Sequence, residues 1–430
     1  MTGKITGGSA KERAILVGVD RGKEGADFTT SMEELSLLAD TAGAAVVCQV
    51  TQKKDNPDSA FYIGTGKAGE IAALAEEYSA DLVIFNDELS PSQIRNLDRV
   101  INRKVIDRSA LILDIFARRA RSKEGRLQVE LAQMSYLLPR LTGLGSSLSR
   151  LGGGIGTRGP GETQLEIDRR VIRRRISELK REINIIRKHR ARHRQRRRRN
   201  RCAVVSLVGY TNAGKSTLLN ALTGADLYTE DKVFATLDPA TRRGMTEGGR
   251  EVLFTDTVGF IENLPRQLVT AFQATLEEIE AADLLMHVVD LSHRDYLNHI
   301  KTVRDHLEKI DPQSADRELL VFNKIDLVTE SSEIKYLRRE FQEAIFISAL
   351  TGEGLQELKE KTEFILSGTG MRMKVYLPYS EGKLYGEMQR QARIDSLEYK
   401  NDYLEITATV KRELTEKLMP FTDLPTKSTS

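Results

Sequence analysis

Three observations predict an α/β fold. Apolar, β-branched runs alternate with helical stretches from residue 14 to 121, the order that builds an open sheet with helices packed on it. A further run, Ala203-Val204-Val205-Ser206-Leu207-Val208, enters Gly209-Tyr210-Thr211-Asn212-Ala213-Gly214-Lys215-Ser216 and then a helical pattern with Leu218, Leu219, Ala221 and Leu222. Between these regions apolar residues recur at spacings of four and three, the seam of paired helices. The expectation is a mostly parallel sheet carrying the Gly-rich loop. A small α/β domain and an antiparallel α-helical hairpin precede it, and a small α+β domain follows.

Composition narrows the class. A chain of 430 residues holds two to four domains, and 40% hydrophobic with 30% charged residues fits a soluble globular protein. No apolar run approaches the ~20 residues of a membrane span. The start, Met1 to Gly8, has no apolar signal-peptide core. Cys48 and Cys202 both fall in predicted buried strands, so they read as small core hydrophobes in a reducing compartment, with no disulfide or metal site. These features point to the cytoplasm. Net charge is only +3, yet residues 169–201 carry 17 Lys/Arg against two acids, leaving the rest of the chain at −12. Such asymmetry points to a polyanionic partner for one element.

Residues 1–13 read as a flexible tail and 14–121 as the first α/β domain. Its strands are Ala14–Val19, Ala44–Val50, Asp81–Phe85 and Lys104–Asp107; its helices are Met32–Ala42, Ala68–Tyr78, one opening at Ser90, and Ala110–Ala120. Ser90-Pro91-Ser92-Gln93 has the residues of a capping box, with Pro first inside the helix. Gly64-Thr65-Gly66-Lys67 resembles half a phosphate loop. The preferred reading is a tight turn before a helix, and the alternative is a secondary anion or nucleotide site.

Residues 122–201 read as the helical hairpin. Leu127, Leu131, Met134, Leu138 and Leu141 form one seam; Leu165, Ile172, Ile176, Leu179, Ile183 and Ile186 form the other, interrupted by Arg169. Pro139 is expected to kink the first helix near its end, and Thr163-Gln164-Leu165-Glu166 to cap the second. The connector, 142–162, holds eight glycines with Arg150 and Arg158, suited to close approach and phosphate contact. The second helix ends in a tract with Arg187, Lys188, Arg190, Arg192, Arg194, Arg196, Arg197, Arg198 and Arg199. Acids are nearly absent there, so self-repulsion is not offset, and a nucleic-acid phosphate backbone is the natural counter-charge. These arginines and Lys188 are the RNA-binding candidates; a passive linker or membrane-surface face is the alternative.

Residues 202–367 carry the nucleotide chemistry. Strand, Gly-rich loop and helix are the setting of a phosphate-binding loop, whose N–H groups converge on an anion. Lys215 would reach the β and γ phosphates and the Ser216 hydroxyl would ligate Mg²⁺. Val252 to Gly259 is a strand ending in Asp256-Thr257-Val258-Gly259; Asp256 holds the metal through water and the Gly259 N–H meets the γ-phosphate. In Phe234-Ala235-Thr236-Leu237-Asp238-Pro239, Thr236 is the best second hydroxyl on Mg²⁺, with Thr229 and Thr241 as competitors. Asn323-Lys324-Ile325-Asp326 and Ser348-Ala349-Leu350 each follow a strand. The Asp326 carboxylate matches the paired donors of guanine, which adenine lacks, so discrimination is strong. The predicted GTP/GDP site is therefore Gly209 to Thr217, Phe234 to Asp238, Asp256 to Gly259, Asn323 to Asp326 and Ser348 to Leu350, with Lys215, Thr236 and Gly259 nearest the chemistry. Phe260 stands where related switches place a water-orienting glutamine, so slow intrinsic hydrolysis and stimulation by a partner are expected.

Residues 371–430 read strand, helix, strand, strand, helix, with no chemical motif and a disordered end from Asp423.

The loop Gly209 to Ser216, the Phe234 to Pro239 and Asp256 to Phe260 pair, and above all Gly154-Ile155-Gly156-Thr157-Arg158-Gly159-Pro160-Gly161-Glu162-Thr163-Gln164-Leu165-Glu166 before a basic helix resemble the HflX family of translation-factor-class GTPases. Asp107-Arg108 and Leu113 to Ala117 resemble it too, and the likeness runs from about 14 to 420. The resemblance implies a GTPase that binds the large ribosomal subunit and its RNA and acts in ribosome splitting, recycling or rescue. It also implies adenine-nucleotide binding by the N-terminal region in some members. The alternatives are an ATP-driven RNA-remodelling factor regulated by the GTPase, and a GTP-controlled adaptor. Apolar pairing inside the hairpin argues for a monomer.

Overall fold

The computed structural model describes residues 11–22, 28–141, 164–199, 203–225, 233–234, 236–246, 249–262, 273–328, 331–366, 371–410 and 412–422. Residues 1–10 of the expected tail 1–13, the glycine-rich connector with Arg150 and Arg158, the cap at Thr163, Cys202, Thr229, Ala235 and the end from Asp423 lie outside them, and the first strand already begins at Arg13, inside that expected tail.

The first sheet contains β1 (Arg13–Asp20), β2 (Ala45–Lys53), β3 (Leu82–Phe85) and β4 (Lys104–Asp107). They are parallel, in the order β2-β1-β3-β4. Helices α1 (Phe28–Thr41), α2 (Thr65–Glu77), α3 (Pro91–Ile101) and α4 (Arg108–Arg119) connect and flank them. Ala14 to Val19 are all buried because a parallel strand covered on both faces needs apolar residues throughout. Cys48 corrects one expectation. It is only half-buried, since β2 is an edge strand. The capping box forms as read: Gln93 N donates to Ser90 Oγ at 3.3 Å and Ser90 N to Gln93 Oε1 at 2.9 Å.

Helix α5 (Lys123–Leu137) gives way to a 3₁₀ turn, Leu138–Leu141, where Pro139 lacks the N–H an α-helix requires. Helix α6 (Gln164–Arg199) returns antiparallel: Glu124 pairs with Arg190 and, further along α5, Glu130 takes both Nε and Nη2 of Arg175 at 2.7 and 3.0 Å. The seam is Leu127 and Leu131 against Leu179 and Ile183, flanked by Met134, Ile176 and Ile186.

The second sheet runs β10-β9-β8-β5-β7-β6. Its strands are β5 (Ala203–Gly209), β6 (Ala240–Met245), β7 (Glu251–Asp256), β8 (Leu284–Asp290), β9 (Glu318–Asn323) and β10 (Ile345–Phe346). All neighbours are parallel except β6 on β7. The polar, solvent-facing β6 had no clear apolar signal. Helices α7 (Lys215–Thr223), α8 (Gln273–Glu280), α9 (Tyr296–Ile310), α10 (Ser331–Glu340) and α11 (Leu355–Leu366) complete this unit. Beyond it, β11 (Met371–Pro378), α12 (Gly382–Gln391), β12 (Arg393–Tyr399), β13 (Tyr403–Val410) and α13 (Arg412–Leu418) make an antiparallel sheet, β11-β13-β12, with its own core.

One apolar cluster crosses between the first two sheets. Leu16, Leu35 and Phe116 from the first join Val129 of α5, then Phe234, Leu237, Phe260 and Leu285. Phe116 and Phe234 meet edge to face, with ring centroids 4.6 Å apart. Such a pair adds ~0.5–1.5 kcal/mol beyond its area burial. Among the described residues no helix is long and apolar enough to cross a membrane.

Candidate active site

The Gly-rich loop is shaped by positions that only certain residues tolerate. Gly209 has φ +152°, and a Cβ there would lie 2.2 Å from the Val288 carbonyl oxygen. Gly214 has φ +89°, and its Cβ would meet Asn323 Nδ2 at 2.3 Å. Asn212, at φ 62°, uses the left-handed tolerance of asparagine. The chain curls through these residues and α7 starts at Lys215.

Lys215 is buried and donates to the carbonyls of Gly209 at 3.1 Å and Tyr210 at 2.7 Å. Burial lowers its ammonium to about 8, with Asp256 pulling the other way. Asp256 is buried too, and desolvation raises its carboxyl against the opposing pull of Lys215 and two hydroxyls. Those hydroxyls are Ser216 Oγ at 2.6 Å and Thr236 Oγ1 at 2.7 Å from Asp256 Oδ2, and they lie 2.8 Å from each other. Asp256 Oδ1 is buried with no hydrogen-bond partner among the described residues. Two hydroxyls and an under-satisfied carboxylate are a hard-oxygen set that suits Mg²⁺. Thr241 is engaged elsewhere, 3.1 Å from Thr255.

The segment after Asp256 is laid along the loop. Thr211 N donates to Phe260 O at 2.9 Å and Phe260 N to Gly209 O at 3.1 Å. A Cβ on Gly259 would be 2.7 Å from Thr211 Cα, so only glycine permits this approach. The Phe260 ring turns into the core and stacks on His306, centroids 5.4 Å apart.

Asn323 ties the loop to the far end of the cleft. Its Nδ2 donates to Ala213 O at 2.8 Å, and its Oδ1 accepts from Ala349 N at 2.9 Å. Lys324, at φ 64°, pairs through Nζ with Asp290 at 2.7 Å. Ser348 Oγ accepts from Thr351 N at 3.1 Å.

These elements enclose a cavity of about 420 Å³. Among the predicted residues, Thr211, Asn212, Gly214, Lys215, Ser216, Thr217, Phe234, Thr236, Thr257, Gly259, Asn323, Lys324, Asp326, Ala349 and Leu350 line it. Gly209, Ala213, Asp256, Val258, Ile325 and Ser348 stand behind the lining.

Three predicted residues face away from the cleft. Leu237 joins the shared core. Tyr210 donates to Glu34 Oε1 at 2.8 Å, accepts from Glu262 N at 2.9 Å and stacks on His299 with centroids 3.8 Å apart. Glu34 in turn pairs with the buried Arg108. The Asp238 carboxylate accepts from the backbone of Arg121 and Ser122 at 3.0 and 2.8 Å. Sequence reasoning missed Glu34 and the Arg108 paired with it because Glu34 meets Tyr210 across a docked interface, and it missed His299 and His306 because they reach Tyr210 and Phe260 from α9, at a distance that no local pattern marks.

The basic helix is partly engaged within the chain. Arg187 pairs with the buried Glu277 of α8 at 2.8 Å, and Arg190 with Glu277 at 3.2 Å and Glu124 at 2.8 Å. Lys188 is exposed. The side chains of Arg192, Arg194 and Arg196 to Arg199 lie outside the described residues, although their backbone is helical.

Comparison with known proteins is consistent along the chain. Family models described as GTP-binding GTPase N-terminal, GTP-binding GTPase Middle Region and 50S ribosome-binding GTPase match residues 29–117, 119–197 and 204–324. The protein GTPase HflX of Alkalihalophilus pseudofirmus is 49% identical over 388 residues, covering 90% of each chain. That of Caldanaerobacter subterraneus is 48% identical, covering 96% of this chain and 94% of its own. That of Escherichia coli is 43% identical, covering 87% and 88%. A solved GTP-binding protein of Sulfolobus solfataricus in complex with GDP is 25% identical, with a TM-score of 0.43 over 83% of this chain and 99% of that one.

Proposed function

The chain belongs to the HflX family of GTPases, and from that premise we propose a GTPase that turns over slowly alone and rapidly on the large ribosomal subunit. The carrying observation is the convergence of Lys215, Ser216, Thr236 and Asp256 at one end of a cleft whose other end presents Asp326. Loop N–H groups and Lys215 would bind the β and γ phosphates, and the Asp326 carboxylate the guanine. Ser216 and Thr236, with Asp256 behind them, would hold Mg²⁺, which neutralises phosphate charge. Phe260 is buried on His306 and presents no group to an attacking water. A second element must therefore orient that water, and a docked partner is the natural source. In this reading the basic end of α6 meets ribosomal RNA in the cytoplasm, and the outcome of the cycle is ribosome splitting or rescue.

The test is co-sedimentation with purified large subunits, loaded with GDP or a non-hydrolysable GTP analogue, with turnover measured alongside. Analogue-favoured binding and turnover raised at least about 10²-fold are expected, since partner-supplied groups contribute on that scale. Nucleotide-independent binding without stimulation would reject the ribosome as activator. Light scattering of intact ribosomes tests splitting separately. An adaptor role would show as protein binding that survives RNase.

A further inference from the structure

The switch segment around Thr236 is held from outside the nucleotide-binding unit. Phe234 packs on Phe116 of α4, and Leu237 enters the cluster that contains Val129 of α5. Asp238 Oδ2 accepts from Arg121 N and Ser122 N, and Oδ1 from Ser122 Oγ. Ser122 Oγ also accepts from Gly125 N at 2.8 Å, so Ser122 caps α5 while it holds the carboxylate. Gly125 is helical, and a Cβ there would lie 2.3 Å from Asp238 Oδ1. Thr236 lies between these anchors and reaches inward, to Asp256 and Ser216.

We propose that Asp238 is a positioning residue for GTP hydrolysis. Its seat on the first turn of α5, kept open by Gly125, fixes where the Thr236 hydroxyl stands. The inference rests on reading Thr236 as the triphosphate-sensing hydroxyl. It makes the helical hairpin part of the catalytic geometry, although no described hairpin residue lines the cleft. A displacement of α5 would be transmitted to Thr236 through two residues of backbone.

The experiment compares Asp238→Ala, Gly125→Ala, the double variant and Thr236→Ala in the full-length chain. Alanine is a better helix former than glycine, so Gly125→Ala strengthens α5 while its methyl displaces the carboxylate. Both single variants should lower kcat about 10- to 100-fold, the scale of a small misplacement. GDP affinity should stay within about twofold, while KM for GTP rises about tenfold in step with the weaker binding of the triphosphate. Preference for a non-hydrolysable GTP analogue over GDP should fall about tenfold, and hydrogen exchange in 236–246 should speed up with that analogue bound. The double variant should be no worse than either single one, because both break one contact. Additive losses, or an unchanged analogue preference, would overturn the proposal. If Asp238→Ala lowers the unfolding midpoint, Gly125→Ala decides alone. If Thr236→Ala collapses analogue preference while the other variants leave it intact, only the positioning role fails. If Thr236→Ala also leaves it intact, the reading of Thr236 itself fails.

Discussion

Two largely parallel sheets in this molecule each place a glycine-and-lysine turn before a helix, and only one makes a phosphate cradle. At Gly209 to Lys215 the backbone runs through left-handed conformations at Asn212 and Gly214, and neighbouring atoms fill the space where a Cβ would sit on Gly209 or Gly214. Lys215 is buried against loop carbonyls. At Gly64 to Lys67 the backbone enters α2 directly from an extended Gly64, at φ −68° and ψ 148°. Gly64 N is already used by Gln52 Oε1 at 3.0 Å, a Cβ on Gly66 would meet open space, and Lys67 pairs with Glu70 one turn on. The lesson is that residue types alone do not make the site. The loop needs enough residues to turn its N–H groups inward and a lysine forced to stay dry.

The largest effect that tests this contrast is Lys215→Ala. It should cut GTP turnover about 10²- to 10³-fold, the cost of one preorganised charge at a transferring phosphate. Radiolabelled GTP hydrolysis reads it out, and a loss under about tenfold would place the phosphate elsewhere. Next is Asp326→Asn, which tests whether the cleft is completed by a base reader that the first sheet lacks. Guanine preference should drop about 10³-fold, with xanthine nucleotides, whose C2 oxygen suits an amide donor, gaining. Competition binding with both bases measures it.

A smaller effect concerns the buried ammonium. The folded, nucleotide-free state depresses Lys215 to about 8, whereas the unfolded chain keeps that proton to near 10.5. Between those values the unfolded state binds more protons, so stability should rise with pH relative to Lys215→Met. Phosphate restores the proton, so nucleotide binding at pH 9 should take one up. Calorimetry in buffers of different ionisation enthalpy would show it. Proton release instead would reverse the assignment. The smallest effect is Lys67→Ala, expected to leave GTP turnover within about twofold, as befits an exposed pair. A loss matching that of Lys215→Ala would make the two turns equivalent after all.

Local chemistry was legible in the sequence. The capping box at Ser90, the interruption of the helix near Pro139 and the Leu127-to-Ile183 seam are all written in neighbouring residues or fixed spacings. What escaped depends on how separate units dock. Tyr210 sits inside the most recognisable motif, yet its hydroxyl serves Glu34, 176 positions away. Asp238 lies in a switch motif, yet holds the N-cap residue of a helix more than a hundred residues earlier. Glu277 gave no warning that it would hold Arg187 and Arg190. Cys48 was misjudged because strand composition does not tell an edge from a centre.

The apolar cluster that joins Leu16, Phe116 and Val129 to Phe234, Leu285 and Leu307 has a consequence for biosynthesis. The first of these segments leaves the translating ribosome well before the last has been made. At ~5–20 residues per second the wait is about 15–60 s. During that interval the nascent chain presents a bare apolar face that its own later half will cover. Chains arrested near residue 200 should therefore bind a hydrophobic dye and resist protease poorly, and the released full-length chain should do neither.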